Sequence, residues 1–142
     1  MSDDAIDQLL EAQGYGIVSL CRDGRPYSIP VSFGYDGDRV YFPFLVTDSD
    51  AAKTAFIEDG TTARFLVTDV RDLFDWRSVA VSDDVRAVDP DGQEWDRFLE
   101  TLAENGWFDP QFEAADAIES IQGWKLGLSE VDGMRRKPIR YE

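Results

Sequence analysis

Lysine is scarce in this chain, three residues against eleven arginines, so the placing of Lys53 invites a chemical reading. The run Thr47-Asp48-Ser49-Asp50 is dense in helix-capping residues and predicts a short helix over Asp50 to Glu58, stopped at Asp59-Gly60. With Ser49 at the cap, Lys53 joins a cation to free backbone N–H groups and the positive end of a helix dipole, three attractions for a phosphate. An ion pair with Asp50 or Glu58 accounts for the same lysine without a ligand, and on the residues alone it is the better default. The C-terminal RRKPIRYE sets Arg135, Arg136, Lys137 and Arg140 against Glu142. Its default reading is an arm on the protein's own acidic surface or a solvated tail, ahead of an anion site. Histidine is absent, which excludes Ser-His-Asp and Cys-His nucleophile systems, His-ligated haem and the usual His-containing zinc sites. Cys21 is alone and cannot form an intramolecular disulfide. Its alternation with Ile17 and Ser19 makes it an expected small buried apolar residue.

The elements that must position these groups are mostly strands. Tyr15 to Arg22, Arg25 to Tyr35 and Arg39 to Leu45 alternate in hydropathy and are joined by two Asp-Gly turns, a strong hairpin signal. The alternation sends Val40, Phe42 and Phe44 to one face of the third strand and Tyr41, Pro43 and Leu45 to the other. Before them Ser2 caps a helix over Asp3 to Gln13, stopped at Gly14. After the lysine helix come two long strands, Thr61 to Arg71 and Trp76 to Val88. An amphipathic helix follows Pro90-Asp91 with Trp95, Phe98, Leu99 and Leu102 on one face. A weakly helical stretch, Pro110 to Ala117, leads to a last strand over Ile118 to Val131. Pro26 and Pro30 mark an edge or bulged position, since proline cannot donate to the ladder. Many similar strands and hairpin connections favour a small antiparallel barrel, which also removes exposed strand edges.

The 142 residues make one domain spanning 1–142, with 43% hydrophobic and 13% aromatic residues for its core. The net charge of −15, from 29 acidic and 14 basic residues, argues against nucleic-acid and anionic-membrane partners. Such an acidic, lysine-poor composition resembles proteins of salt-accumulating archaea, where ionic strength screens self-repulsion. No window approaches the roughly 18 apolar residues of a membrane span, and the start MSDDAIDQLL is acidic where a secretory signal is basic. A cytoplasmic location is expected, and no metal site is.

The order GIVSL, GRPYSIPVSFGYDGDRVYF, a lysine-bearing short helix, ARFLV and then WRSVAV, covering Gly14 to Val88, resembles the FMN-binding split β-barrel family. That is the pyridoxamine 5'-phosphate oxidase-like group, in its general-stress and nitroimidazole-resistance-like branches. The resemblance implies a mainly β (α+β) fold: a six- to seven-stranded antiparallel split barrel with short flanking helices, acting as a homodimer with flavin at the subunit interface. It implies that Ile29, Pro30, Val31 and Ser32 line the isoalloxazine ring. Tyr41, Phe42 and Phe44 would contact the ring and Ser49 the phosphate, Lys53 would pair with the phosphate, and Trp76 and Ser78 would close the site. Read without the family, Phe42, Phe44 and Trp76 are core.

The function implied is an FMN oxidoreductase passing electrons between a reduced donor and a small-molecule acceptor, with no side chain nominated as acid or base. The chain departs from the family at Pro43-Phe44, Ala52-Lys53, which has one phosphate-binding cation fewer, and Asp83, where a glycine is frequent. The C-terminus also lacks the substrate-holding ending of the full oxidases, so vitamin B6 oxidation is not expected. Alternatives are a split barrel binding deazaflavin F420 or haem, the latter disfavoured without histidine, and a cofactor-free dimeric barrel working through protein contacts.

Overall fold

The computed structural model describes residues 1–45, 57–104 and 121–137. The expected lysine helix with Ser49, Ala52 and Lys53, the stretch Pro110 to Ala117 and the end of the tail lie outside the described residues.

Helix α1 (Asp3–Ala12) begins where Ser2 accepts a hydrogen bond from the Ala5 N–H at 3.2 Å, so the cap acts as expected. Strands β1 (Tyr15–Arg22) and β2 (Arg25–Ser32) pair in register, Arg22 opposite Arg25. The two residues between them, Asp23 and Gly24, have φ of 51° and 76°. That is the doubly left-handed turn for which Asp-Gly is selected. Strand β3 (Gly34–Tyr35) pairs with β4 (Val40–Leu45) across the second Asp-Gly turn. Then follow β5 (Thr62–Asp72), β6 (Asp75–Asp84), β7 (Arg86–Val88), helix α2 (Glu94–Ala103), β8 (Ile121–Leu126) and β9 (Glu130–Arg136).

All pairings are antiparallel, in one sheet ordered β2-β1-β5-β6-β9 and a second ordered β3-β4-β8-β7. The expected strand Arg25 to Tyr35 is split at Phe33, and Trp76 to Val88 is split at Val85; each leaves the first sheet and enters the second. Phe33 and Val85 are 1% and 0% exposed, so the corners are themselves core. Counted through these corners, the nine segments among the described residues are seven strands, within the expected six to seven. The expected last strand is instead two strands, β8 and β9, which belong to different sheets.

Between the sheets lie Val18, Leu20, Val40, Phe42, Phe44, Phe65, Val67, Val79 and Val81, closed at one end by Leu9 and Leu10 of α1. The outer side of the second sheet carries α2 through Trp95, Phe98 and Leu102 against Tyr41, Val88 and Ile121. Helix α2 lies very close to β3: a Cβ added at Gly34 would fall 2.6 Å from backbone atoms of Thr101. Cys21 departs from expectation. It is exposed, because Val18 and Leu20 take the inward face of β1 and leave Ile17, Ser19 and Cys21 outside.

Candidate functional site

The first sheet buries one face on the core and presents the other outward. Register places Pro30, Ile17, Leu66, Ala80 and Asp132 in one outward row. Thr68, Ser78 and Met134 form the next row, then Val70, Trp76 and Arg136. Large apolar side chains on or beside these rows stay uncovered in the single chain: Leu66 is 37% exposed, Val70 67%, Met134 60%, and at the β5–β6 turn Leu73 77% and Phe74 50%. Leu66, Val70, Leu73, Trp76 and Ser78 line a groove of about 400 Å³. Sheets half in water alternate apolar with polar residues, whereas β5 carries apolar residues on both faces. A flat apolar surface with a few hydroxyls, here Ser19 bonded to Ser28 at 2.8 Å, suits a planar aromatic ligand or a second protein surface.

Trp76 and Ser78 stand together on this outward face and border the groove. The run Ile29 to Ser32 divides. Ile29 and Val31 pack against the core, while Pro30 and Ser32 alternate to the outward side with Ile17 and Tyr15 opposite. Pro30 is three strands from Ala80 in its row, about 14 Å at ordinary strand spacing. Within one chain these two groups therefore flank the face without touching. Phe42 and Phe44 are 0% exposed inside the barrel, and Tyr41 is 0% exposed beneath α2. Those three rings are core here, and the single chain does not gather them with Trp76. Asp83 also belongs elsewhere, accepting from the Ser129 hydroxyl at 2.7 Å at the far end of β6 from Trp76.

Two other charged regions limit the chemistry. Glu94, at the start of α2, receives Arg39 and the Tyr41 hydroxyl on Oε2, both at 2.9 Å, and Lys125 on Oε1 at 2.5 Å. Partial burial pushes its carboxyl up, but the Lys125 and Tyr41 hydrogen bonds and the adjacent cations outweigh it and hold it below the usual range. Burial also pushes the Tyr41 phenol up, so the hydroxyl stays a donor. All of these groups are consumed in fixing α2 to β4 and β8. A cleft of about 540 Å³ between α1, β3 and α2 is lined by Glu11, Tyr35, Asp36, Arg97, Glu100 and Glu104 among others. Arg97 is already paired with Asp36 at 2.9 Å, so the remaining field is negative and repels a phosphate.

The outward patch was not picked out from the sequence, although its signal was there: ARFLVTDV is apolar on both parities, which marks a strand covered on both faces. No helix among the described residues is long and apolar enough to cross a membrane.

The family model described as pyridoxamine 5'-phosphate oxidase matches residues 2–135. No curated protein matches the sequence. Among solved structures, the FAD- and haem-binding protein of Mycobacterium smegmatis aligns at a TM-score of 0.75 and 18% identity, over 99% of this chain and 74% of that one. An FAD-binding protein of Mesorhizobium loti gives 0.75 at 15% identity, over 94% of each chain. A candidate 5-nitroimidazole antibiotic resistance protein of Bacteroides thetaiotaomicron gives 0.72 at 18% identity, over 93% and 82%.

Proposed function

We infer that this chain, which belongs to the pyridoxamine 5'-phosphate oxidase family, binds a flavin, FMN by preference, on the outward face of its first sheet. It does so as a homodimer whose partner covers the rest of that face. The observation that carries the reading is the uncovered apolar surface around Leu66, Val70, Leu73 and Met134. Soluble monomers rarely leave such a contiguous patch in water. A planar ring system with a second copy over it would remove the patch and build a site from both chains, which also answers the separation of Pro30 from Ser78.

When bound, the flavin supplies electron transfer between a reduced donor and a small acceptor, which makes the protein an oxidoreductase. The chain's own part is to orient and enclose. Trp76 offers an aromatic wall and an indole N–H, Ser78 and Ser32 offer hydroxyls, and Ile17, Pro30 and Leu66 keep the ring's surroundings dry. Ser49 and Lys53 take the phosphate in this reading. A cofactor-free barrel would bury the same patch against its partner alone.

The test is the absorption spectrum of the isolated protein followed by titration with FMN and FAD. Yellow protein, or saturable flavin binding weakened about tenfold or more by Trp76→Ala, is the expected result. Colourless protein without affinity for either flavin would overturn it. The same spectrum reads haem through its Soret band, a reading favoured by the Mycobacterium smegmatis neighbour and dependent here on an axial ligand other than histidine. Titration with F420 covers the deazaflavin alternative.

A further inference from the structure

We propose that the end of the first sheet, where β5, β6 and β9 run past the core, is a recognition site for the phosphate or diphosphate group of a small ligand. Arg135 and Arg136 are not a solvated tail: they pair along β9 with Arg77 and Trp76 of β6. The row Asp69, Arg77, Arg135 continues the inward face of the sheet one step beyond Val67, Val79 and Gly133, so these charges emerge where the apolar filling stops. There they border a cavity of about 200 Å³ whose lining brings together Arg71, Arg77, Arg135, Arg136 and Lys137 against Asp69 and Asp75.

The charge pattern of this cluster is the unusual part. In a chain of net charge −15, five of the fourteen cations meet at one cavity with two carboxylates. Asp69 is shared, accepting from Arg77 at 2.8 Å and lying 3.7 Å from Arg71. Arg136 stacks over Phe74 with its guanidinium carbon 5.1 Å from the ring centroid. The side chains of Arg135 and Lys137 have no ion-pair or hydrogen-bond partner among the described residues. Arg77 and Arg135 are directly opposite in an antiparallel pair, an arrangement that destabilises a sheet unless something neutralises it. With 29 acidic residues available, a purely structural cluster would be expected to balance its charges, whereas here five cations face the two carboxylates Asp69 and Asp75.

Four of the five cations are arginines, whose planar forks match tetrahedral oxyanions better than a point charge does. The cavity is below the size of a site for a whole drug-sized ligand and suits one anionic group. An extended polyanion such as nucleic acid is disfavoured by the charge of the rest of the chain. The inference stands on these residues whether or not a flavin binds nearby.

Calorimetric titration with inorganic pyrophosphate tests it without any flavin, at a fixed ionic strength where circular dichroism shows the protein folded. Saturable binding is expected, weakened about tenfold by Arg135→Gln or Lys137→Gln and unchanged by Arg25→Gln, which removes an equal charge on the far strand β2. No saturable binding by the wild-type protein, or equal loss in all three variants, would overturn the site. Parallel titrations separate the sources of the phosphate. If Arg135→Gln also weakens FMN, the group is the flavin's own. If it weakens NADPH and spares FMN, the group belongs to a second, nucleotide substrate. An effect on pyrophosphate alone assigns the site to another phosphate ester.

Discussion

Glu94 shows how much of the protein's electrostatics is devoted to holding itself together. One carboxylate receives Arg39, Tyr41 and Lys125, so Glu94→Gln removes the charge that strengthens three hydrogen bonds while keeping the shape. A loss of about 1–2 kcal/mol in urea unfolding is expected; unchanged stability would show that the network is solvated. The pH dependence has a definite sign. Glu94 and Asp36 both titrate below their usual range in the folded protein. For Asp36, burial pushes up but is outweighed by the Asp38 and Arg39 backbone N–H groups and by Arg97. Their contribution is therefore fully present above the unfolded carboxylate range of about pH 4 and is lost as pH falls through the lower folded values. Near-ultraviolet circular dichroism should report loosening of Trp95 in acid, with a shallower pH dependence in Glu94→Gln.

Elements were legible in proportion to how local their causes are. The Ser2 cap, the Asp-Gly turns and the apolar stripe of α2 all act within a few residues, and each produced its element with bounds close to those expected. The corners at Phe33 and Val85 and the division of Ile118 to Val131 into β8 and β9 depend on a change of pairing partner, which leaves no mark on composition or period. Gly34 gives this scale its test. The closeness of α2 to β3 requires an absent side chain, since a Cβ would meet Thr101 backbone at 2.6 Å. Gly34→Ala should cost about 1–3 kcal/mol and should show in the same urea titration. An unaffected midpoint would mean that α2 is free to shift.

At the scale of the whole molecule, two properties set the remaining tests: an apolar outward face and a net charge of −15. If the face is the dimer seam, light scattering should give the mass of two chains. Leu66→Glu, which adds charge at a partly exposed position, should yield folded monomers that have lost flavin. Folded monomers from the wild-type protein would remove the dimer. The charge predicts a melting temperature that rises by several degrees between dilute buffer and molar KCl, because salt screens carboxylates repelling one another over the surface. A flat or falling dependence would show that the acidic residues are too dispersed to matter.

The sequence by itself determined the hairpins, the barrel class, the acidic surface and the split-barrel resemblance, because turn chemistry, alternation and composition act locally or sum over residues. The same resemblance nominated Trp76 and Ser78, which stand on the outward face as a pair. Tertiary structure alone decided that Ile29 and Val31 turn inward while Pro30 and Ser32 turn outward, and that Cys21 is exposed; for Phe42 and Phe44 it bore out the core reading of the residues over the role the resemblance implied. It alone aligned Arg77 with Arg135. A strand has two faces separated by one residue, so which parity meets the core, and which distant strand lies opposite, is set by the pairing of the whole sheet.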